Sequence, residues 1–411
     1  MKKRVVITGI GPVTSLGIGK DIFWKKLLSG DSPEIKKVLD SRMRSKVYVP
    51  LPDFTLTDYE IPNYYKFLQP EDKMAIIAAK LALEDAGFVL EKDRKRFRFA
   101  GNEKIATIIG TGFTGLETAF TSYLSHLGVD LSEKHKPFNR MVIPRLMTNS
   151  PAAWISILFG LQGESFSLNA SCASGTFALG QAFRQIADGY AELVVSGGVE
   201  NLHDEKFSIF RGFDVLGALT KTDSAKPFCH DRSGFLFAEG GSCMLILEEL
   251  EHAKKRDAKI YAEILDYQSN SDAHNIVQID PSGKSIIKLF QKLVGEKKID
   301  YLNAHGTATI TNDEIEAKAI IKYFGNAEKQ PVINSTKGIF GHTIGASGAI
   351  EAAVTALSVY HDCTHSNQVG NRMKNLNIPA AKREIEIQKA ISVSYGFGGH
   401  NSGLLLGKYH G

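Results

Sequence analysis

At 411 residues, with 43% hydrophobic and 23% charged side chains, the chain has the composition of a soluble globular protein, long enough for two or three domains or one composite one. No segment approaches the roughly eighteen-residue apolar run that a membrane helix requires, and a net charge of +4 is too mild to argue for nucleic acid. Four cysteines (Cys172, Cys229, Cys243 and Cys363) stand far apart with no C-x-x-C spacing, so neither a disulfide framework nor a zinc knuckle is expected, and a cytoplasmic protein without a bound metal is the default.

In chain order, MKKRVVITGIGPVTSLG sets basic residues before an apolar run, as a signal peptide does. Gly9, Gly11 and Pro12 break that run early, so a strand over Val5–Ile10 followed by a turn is predicted. Pro70–Phe88 carries helical spacing with Gly87 as its C-terminal stop. The basic run EKDRKRFRF (Glu91–Phe99) is interrupted by acids and reads as a solvated connection. Lys104–Gly112 is a buried strand running into a glycine-rich bend, and SEKHKPFNR gathers Lys134, Lys136 and Arg140. SFSLNAS is a strand, Ser174–Asp188 a helix, and Leu193–Glu200 another strand. After LEELEHAKKRDAK the pattern restarts: IYAEILDYQSN as strand, SGKSIIKLFQKLVG as helix, IDYLNAHGT as strand, Asn312–Gly325 as helix, and AISVSYGFGGHNSGLLLGKY as two strands about a glycine turn. The alternation is that of an α/β protein, and the restart predicts two similar halves facing each other.

Four stretches carry candidate chemistry. Cys172 in FSLNASCASG follows a strand and precedes a helix, where first-turn N–H groups favour a thiolate; a buried filler cysteine is the plain alternative. His305 in NAHGTAT ends an apolar strand, where open α/β sheets bind ligands, and Thr307 and Thr309 offer hydroxyls. In NSTKGIFGHTIGASGAIEAA, Lys337 and His342 flank Gly338 and Gly341. A lysine in so uncharged a stretch is expected to be partly buried and to need a carboxylate, for which Asp313, Glu314 and Glu316 are the candidates. SYGFGGHNSG is either a tight hairpin or a bend that delivers a backbone N–H and the ring of Phe397 to a site. Together, one cysteine, two histidines and a lysine in glycine-rich turns suit chemistry on a thioester. A thiolate would receive the acyl group and two N–H donors would meet the oxygen that gains charge.

NASCASG, NAHGTAT, STKGIFGHTIGASGA and SYGFGGHN, in this order, resemble the β-ketoacyl-acyl-carrier-protein synthases, the elongating synthase II above all. The likeness runs from RVVITGIG through HDRSGFLFAEGG to the last strand. The resemblance implies the thiolase fold, with two duplicated βαβαβαββ halves in a five-layered αβαβα arrangement. Residues 1–255 would carry the cysteine and cap insertions, and residues 256–411 the two histidines and the lysine. It implies Cys172 as nucleophile, His305 and His342 as the catalytic histidines, Lys337 beside them, and Asp313 and Glu316 as supporting acids. Backbone N–H groups of Cys172 and Phe397 would form the oxyanion hole, and Phe397 would also act as a gate. Thr307 and Thr309 would touch a phosphopantetheine arm, and Phe113 would wall the acyl pocket. No cofactor is implied. The partners implied are acyl carrier protein and a second copy of the chain, with a sister ketosynthase-like subunit as the alternative, and neither nucleic acid nor membrane.

Departures from the family pattern are His400, where many members have threonine, AEGG in place of a GEGAG-like turn, and bulky Phe113 where an aliphatic residue is usual. The reaction implied is a decarboxylating Claisen condensation in fatty acid, polyketide or polyene synthesis. A chain-length factor would typically lack the cysteine. A thiolase would show a second cysteine near GFGGHN. A Cys–His hydrolase would pair one histidine with an orienting acid. A scaffolding partner remains the bland alternative.

Overall fold

The structure, a computed structural model, describes residues 2–62, 67–129, 138, 140–368 and 370–411. The Lys134 and Lys136 positions of the basic cluster lie outside these residues, while Arg140 is exposed.

Each half is built of five strands and three helices in the same succession. The first runs β1 (Val5–Thr14), α1 (Pro70–Asp85), β2 (Ala106–Gly110), α2 (Ser150–Phe159), β3 (Ser165–Leu168), α3 (Ser174–Ala187), β4 (Leu193–Asn201) and β5 (Gly240–Glu249). The second runs β6 (Ala262–Ser271), α4 (Lys284–Leu293), β7 (Tyr301–Asn303), α5 (Ile310–Phe324), β8 (Val332–Asn334), α6 (Ser347–His361), β9 (Lys389–Gly396) and β10 (His400–Gly407). This is βαβαβαββ twice. Further helices and short strands fill the connections, among them a hairpin in the basic run, Glu91–Asp93 with Arg96–Arg98, that buries Phe97.

The strand order is β3-β2-β4-β5-β1-β6-β10-β9-β7-β8, which reads the same outward from the middle in both directions. The halves join where Val5, Val6 and Ile7 pair antiparallel with Ile264, Glu263 and Ala262. Beyond those pairs the two sets of strands diverge, and α3 and α6 lie between them, each packed on strands of both halves. Helices α1 and α2 cover the outer face of the first half, and α4 and α5 that of the second. The layers are therefore helix, sheet, helix, sheet, helix. Strands buried on both faces need continuous apolar runs, and LVVSGGV in β4 and CMLIL in β5 supply them.

One sequence expectation is corrected. The first strand does not stop at Ile10 but continues to Thr14 through Gly9, Gly11 and Pro12. Those glycines are no turn. A Cβ on Gly9 would sit 2.1 Å from the carbonyl oxygen of Ala82, and one on Gly11 2.0 Å from that of Ala78, so bare backbone lets α1 lie directly on β1.

The middle layer is closest where its helices begin. A Cβ on Gly175 would lie 2.7 Å from the backbone nitrogen of Ala349, and one on Gly348 2.1 Å from Thr176 Oγ1. The two turns that feed these helices match. Ser171–Ala173 and Ile344–Ala346 are both short 3₁₀ turns. Each opens on a residue with positive φ, 53° at Ser171 and 47° at Ile344. Each is closed by a serine, with Ser174 Oγ accepting from the N–H of Ala170 and Ser347 Oγ from that of Thr343. The shared Ala-Ser-Gly of the two turns is the residue-level trace of the repeat.

Candidate active site

Cys172 sits inside the first of these turns, 5% exposed, in a cluster with Ile344, Phe235, Phe237 and Phe397. The backbone N–H of Phe397 lies beside its sulfur, and Ser171 Oγ is 3.8 Å from it. Gly398 (φ 84°) and Gly399 (φ 76°) make the hairpin bend that aims this N–H inward. The helix-mouth position is as expected, but a resting thiolate is not. Burial pushes the thiol up to about 11, opposed by the Ser171 hydroxyl, the Lys337 charge and the Phe397 N–H. Desolvation outweighs the donors, so the thiol form dominates at neutral pH.

His305 follows β7 and is 2% exposed, as is His342. Their rings stand edge to face, 5.7 Å between centroids, and the ring of Phe235 closes against His342 at 5.2 Å. The tautomers follow from the partners. His342 Nδ1 accepts from the backbone N–H of Ile344 (3.3 Å) and lies 2.8 Å from Ser347 Oγ, so its proton is on Nε2. His305 Nδ1 faces Lys337 Nζ at 3.3 Å, which likewise leaves the proton on Nε2. Burial, then the Lys337 charge, then His342 hold His305 well below the usual imidazole range; burial and Lys337 do the same to His342. Both are neutral N–H donors.

Lys337, 1% exposed, donates to His305 Nδ1, to the His305 carbonyl oxygen (2.8 Å) and to Glu351 Oε1. Three acceptors match the three N–H bonds of an ammonium. The carboxylate is Glu351, not Asp313, Glu314 or Glu316 as expected. Glu351 is the lone acid in the otherwise uncharged run of α6 from Ser347 to Tyr360, a signal present in the sequence. Removing one member of such a buried pair costs about 3–5 kcal/mol.

The other acids shape the loop instead. Glu316 accepts from the backbone N–H groups of His305 (2.9 Å) and Gly306 (2.8 Å), and burial pushes it up to about 8 against their pull. Asp313 accepts from Phe228 (2.7 Å) and Ala308 (3.1 Å), and burial pushes it up to about 6. Glu314 pairs with Arg232. Thr307 is buried and its hydroxyl meets that of Thr309 at 2.9 Å. Phe113 stands apart from the cluster, 37% exposed on the surface of a single chain. Among the described residues no group of three His, Cys, Asp or Glu side chains could hold a metal ion, and no helix is long and apolar enough to cross a membrane.

Two outcomes test this geometry. Nitrogen-15 spectra of the histidines should show Nε2 protonated in both rings, with neither titrating between about pH 8 and about pH 6, the range in which an ordinary imidazole gains its proton. A one-proton transition of either ring inside that window would contradict the assigned state. Iodoacetamide labelling of Cys172 should accelerate steadily from neutral pH to about pH 10, as a thiol does; a plateau reached near neutral pH would mean a thiolate at rest.

Comparisons with known proteins agree with the geometry. The Beta-ketoacyl synthase, N-terminal domain matches residues 2–253, and the Beta-ketoacyl synthase, C-terminal domain residues 261–369. The 3-oxoacyl-[acyl-carrier-protein] synthase 2 of Rhizobium meliloti (strain 1021) is 32% identical over the whole of both chains. That of Synechocystis sp. (strain ATCC 27184 / PCC 6803 / Kazusa) is 31% identical over 99% of each. Among solved structures, the ishigamide ketosynthase/chain length factor superposes with a TM-score of 0.87 at 25% identity over 100% of both chains. A type II polyketide synthase acyl carrier protein in complex with its ketosynthase, bound to the hexaketide, gives 0.86 at 25% over 100% of both. The fold is the thiolase fold expected from the motifs, and the chain belongs to the β-ketoacyl synthases, the condensing acyltransferases that form carbon–carbon bonds.

Proposed function

We propose that the chain extends an acyl group held on Cys172 by decarboxylating condensation with a malonyl group carried on acyl carrier protein. The observation that supports this most directly is the pairing of a buried cysteine beside the Phe397 N–H with two neutral Nε2–H donors fixed by Lys337, Ile344 and Ser347. In the first half-reaction the sulfur of Cys172 attacks the acyl thioester. The backbone N–H groups of Cys172 and Phe397 hold the oxyanion, and the proton leaving Cys172 passes to the departing pantetheine sulfur. In the second, the carbon–carboxylate bond of the malonyl group breaks, the carboxylate leaves as carbon dioxide, and the electron pair of the bond becomes an enolate whose oxygen takes hydrogen bonds from His305 and His342. The enolate carbon then attacks the Cys172 thioester, and collapse of the tetrahedral intermediate expels the sulfur as thiolate, which takes a proton from water, and releases the β-ketoacyl carrier protein. Thr307 and Thr309 are assigned to the pantetheine arm. The division at residues 1–255 and 256–411 gives the cysteine to one half and both histidines to the other. The steps so written need no bound metal or redox cofactor, and a cytoplasmic setting suits their substrates.

The half-reactions separate in mutants. Cys172→Ala should abolish acyl transfer and keep part of the malonyl decarboxylation. His305→Ala and His342→Ala should each lose far more decarboxylation than acyl transfer. A histidine variant that condenses at the wild-type rate would end its assigned role. Failure of wild-type Cys172 to become acylated, read by intact mass, would favour a chain-length-factor-like or scaffolding partner instead.

A homodimer is supported by a surface beside the site. Phe113, Phe120, Tyr123, Leu127, Ile143 and Met147 are exposed, and the partly buried β3 is the last strand at its end of the sheet. Exposed large apolar side chains and an open strand edge are features of an interface with a second copy or a sister subunit. Phe113 would then wall the acyl pocket from within that interface, with roughly ten- to two-hundred-fold discrimination against longer chains. In the dimer, Phe113→Ala should shift the preferred acyl carrier protein to longer chains. An unchanged length profile, or sedimentation of the wild type at the mass of one chain, would remove the wall from the account.

A further inference from the structure

Glu200 is the penultimate residue of β4 and is fully buried, yet the steps above do not use it. Its carboxylate accepts three backbone N–H bonds: Oε1 from Phe113 (2.7 Å), and Oε2 from Gly112 (2.8 Å) and Gly345 (2.9 Å). The two glycines lie so close around it that a Cβ on either would sit 2.6 Å from Oε2. Both donors lead to the reacting groups. Gly345 follows Ile344, whose N–H fixes the His342 tautomer. The Gly112 carbonyl accepts from Asn169 Nδ2 (2.7 Å), and Asn169 Oδ1 accepts from the N–H of Ser171 (2.9 Å), the positive-φ residue that opens the Cys172 turn.

We infer that Glu200 is a positioning residue that clamps the Cys172 turn and the His342 turn to one another, setting the geometry in which the enolate meets the acyl thioester. One carboxylate with three inward donors is a rigid tie, because neither oxygen can leave without stranding a buried N–H. Both turns it joins hold strained backbone, which persists only where the surroundings over-determine it. Misplacement by a fraction of an ångström at reacting atoms is costly even when binding is untouched.

This inference rests on the condensation reading, and the test separates the two. Glu200→Gln keeps shape and burial but must turn an NH₂ toward either Phe113 or the Gly112–Gly345 pair. Gly345→Ala presses on the same carboxylate from the histidine side. Glu248→Gln serves as the control, an equally buried acid bonded to Thr8, His252 and Arg256 away from the site. In full-length protein shown to be folded by its thermal transition, Glu200→Gln and Gly345→Ala should each lower the kcat of condensation by about tenfold or more while KM for malonyl carrier protein stays within about twofold. The His342 nitrogen resonances should shift and those of His305 should not, and Glu248→Gln should condense normally. A folded Glu200→Gln or Gly345→Ala with wild-type kcat, or an equal loss in Glu248→Gln, overturns the positioning role alone. A wild type that forms no β-ketoacyl product overturns the condensation reading and this one with it.

Discussion

The close approach of the two buried helices at Gly175 and Gly348 is the constraint on which the rest depends. Helix N-termini repel one another electrostatically and each leaves unpaired N–H groups, so two of them meeting in the interior is an unfavourable arrangement unless something occupies the junction. Here Ser174 and Ser347 hold the turns that lead into the two helices, and a hydrogen bond between Thr176 and Ser394 lies beside the junction. What remains facing outward from it is the ground on which the cysteine and the second histidine stand. Larger residues at the two glycines would part the helices and with them the reacting groups.

The candidate residues that the structure gathers were legible because each follows a strand in a glycine-rich turn, a local pattern that a linear sequence displays directly. The partner of Lys337 was not. Asp313 and Glu316 are near His305 in sequence, whereas Glu351 lies 14 residues beyond the lysine and reaches it only because α6 folds back through the middle layer. Glu200 was hidden for a related reason, since a glutamate at the end of a strand reads as a solvated terminus until the bend at Gly112 and the turn at Gly345 converge on it. The glycines of β1 looked like a turn because their reason for being glycine is a tertiary contact with α1. At Cys172 the helix mouth is visible in the sequence, while the desolvation that raises its thiol belongs to the assembled site.

Charge is distributed unevenly in this interior. Glu200, Glu316, Asp313 and Glu351 are all buried, and three of them are held mainly by backbone N–H groups, with Glu351 answering Lys337. Acids satisfied by backbone fix loops, while the single acid satisfied by a lysine fixes a ring. The same chemistry thus performs two jobs, one on the main chain and one on the protonation pattern of His305.

That protonation pattern has a consequence for what the protein can do with a substrate. Both Nδ1 atoms are occupied and both Nε2 atoms already hold their hydrogens, so neither ring is free to pull a proton from carbon. Two rings that only donate cannot draw a proton from an unactivated acetyl group; in the proposed reaction the electrons arrive with the substrate, released by a bond that breaks. When the fragment lost is a gas, the step has no practical return path. Under the proposed condensation, two imidazoles that only donate therefore make the direction of synthesis a property of the site.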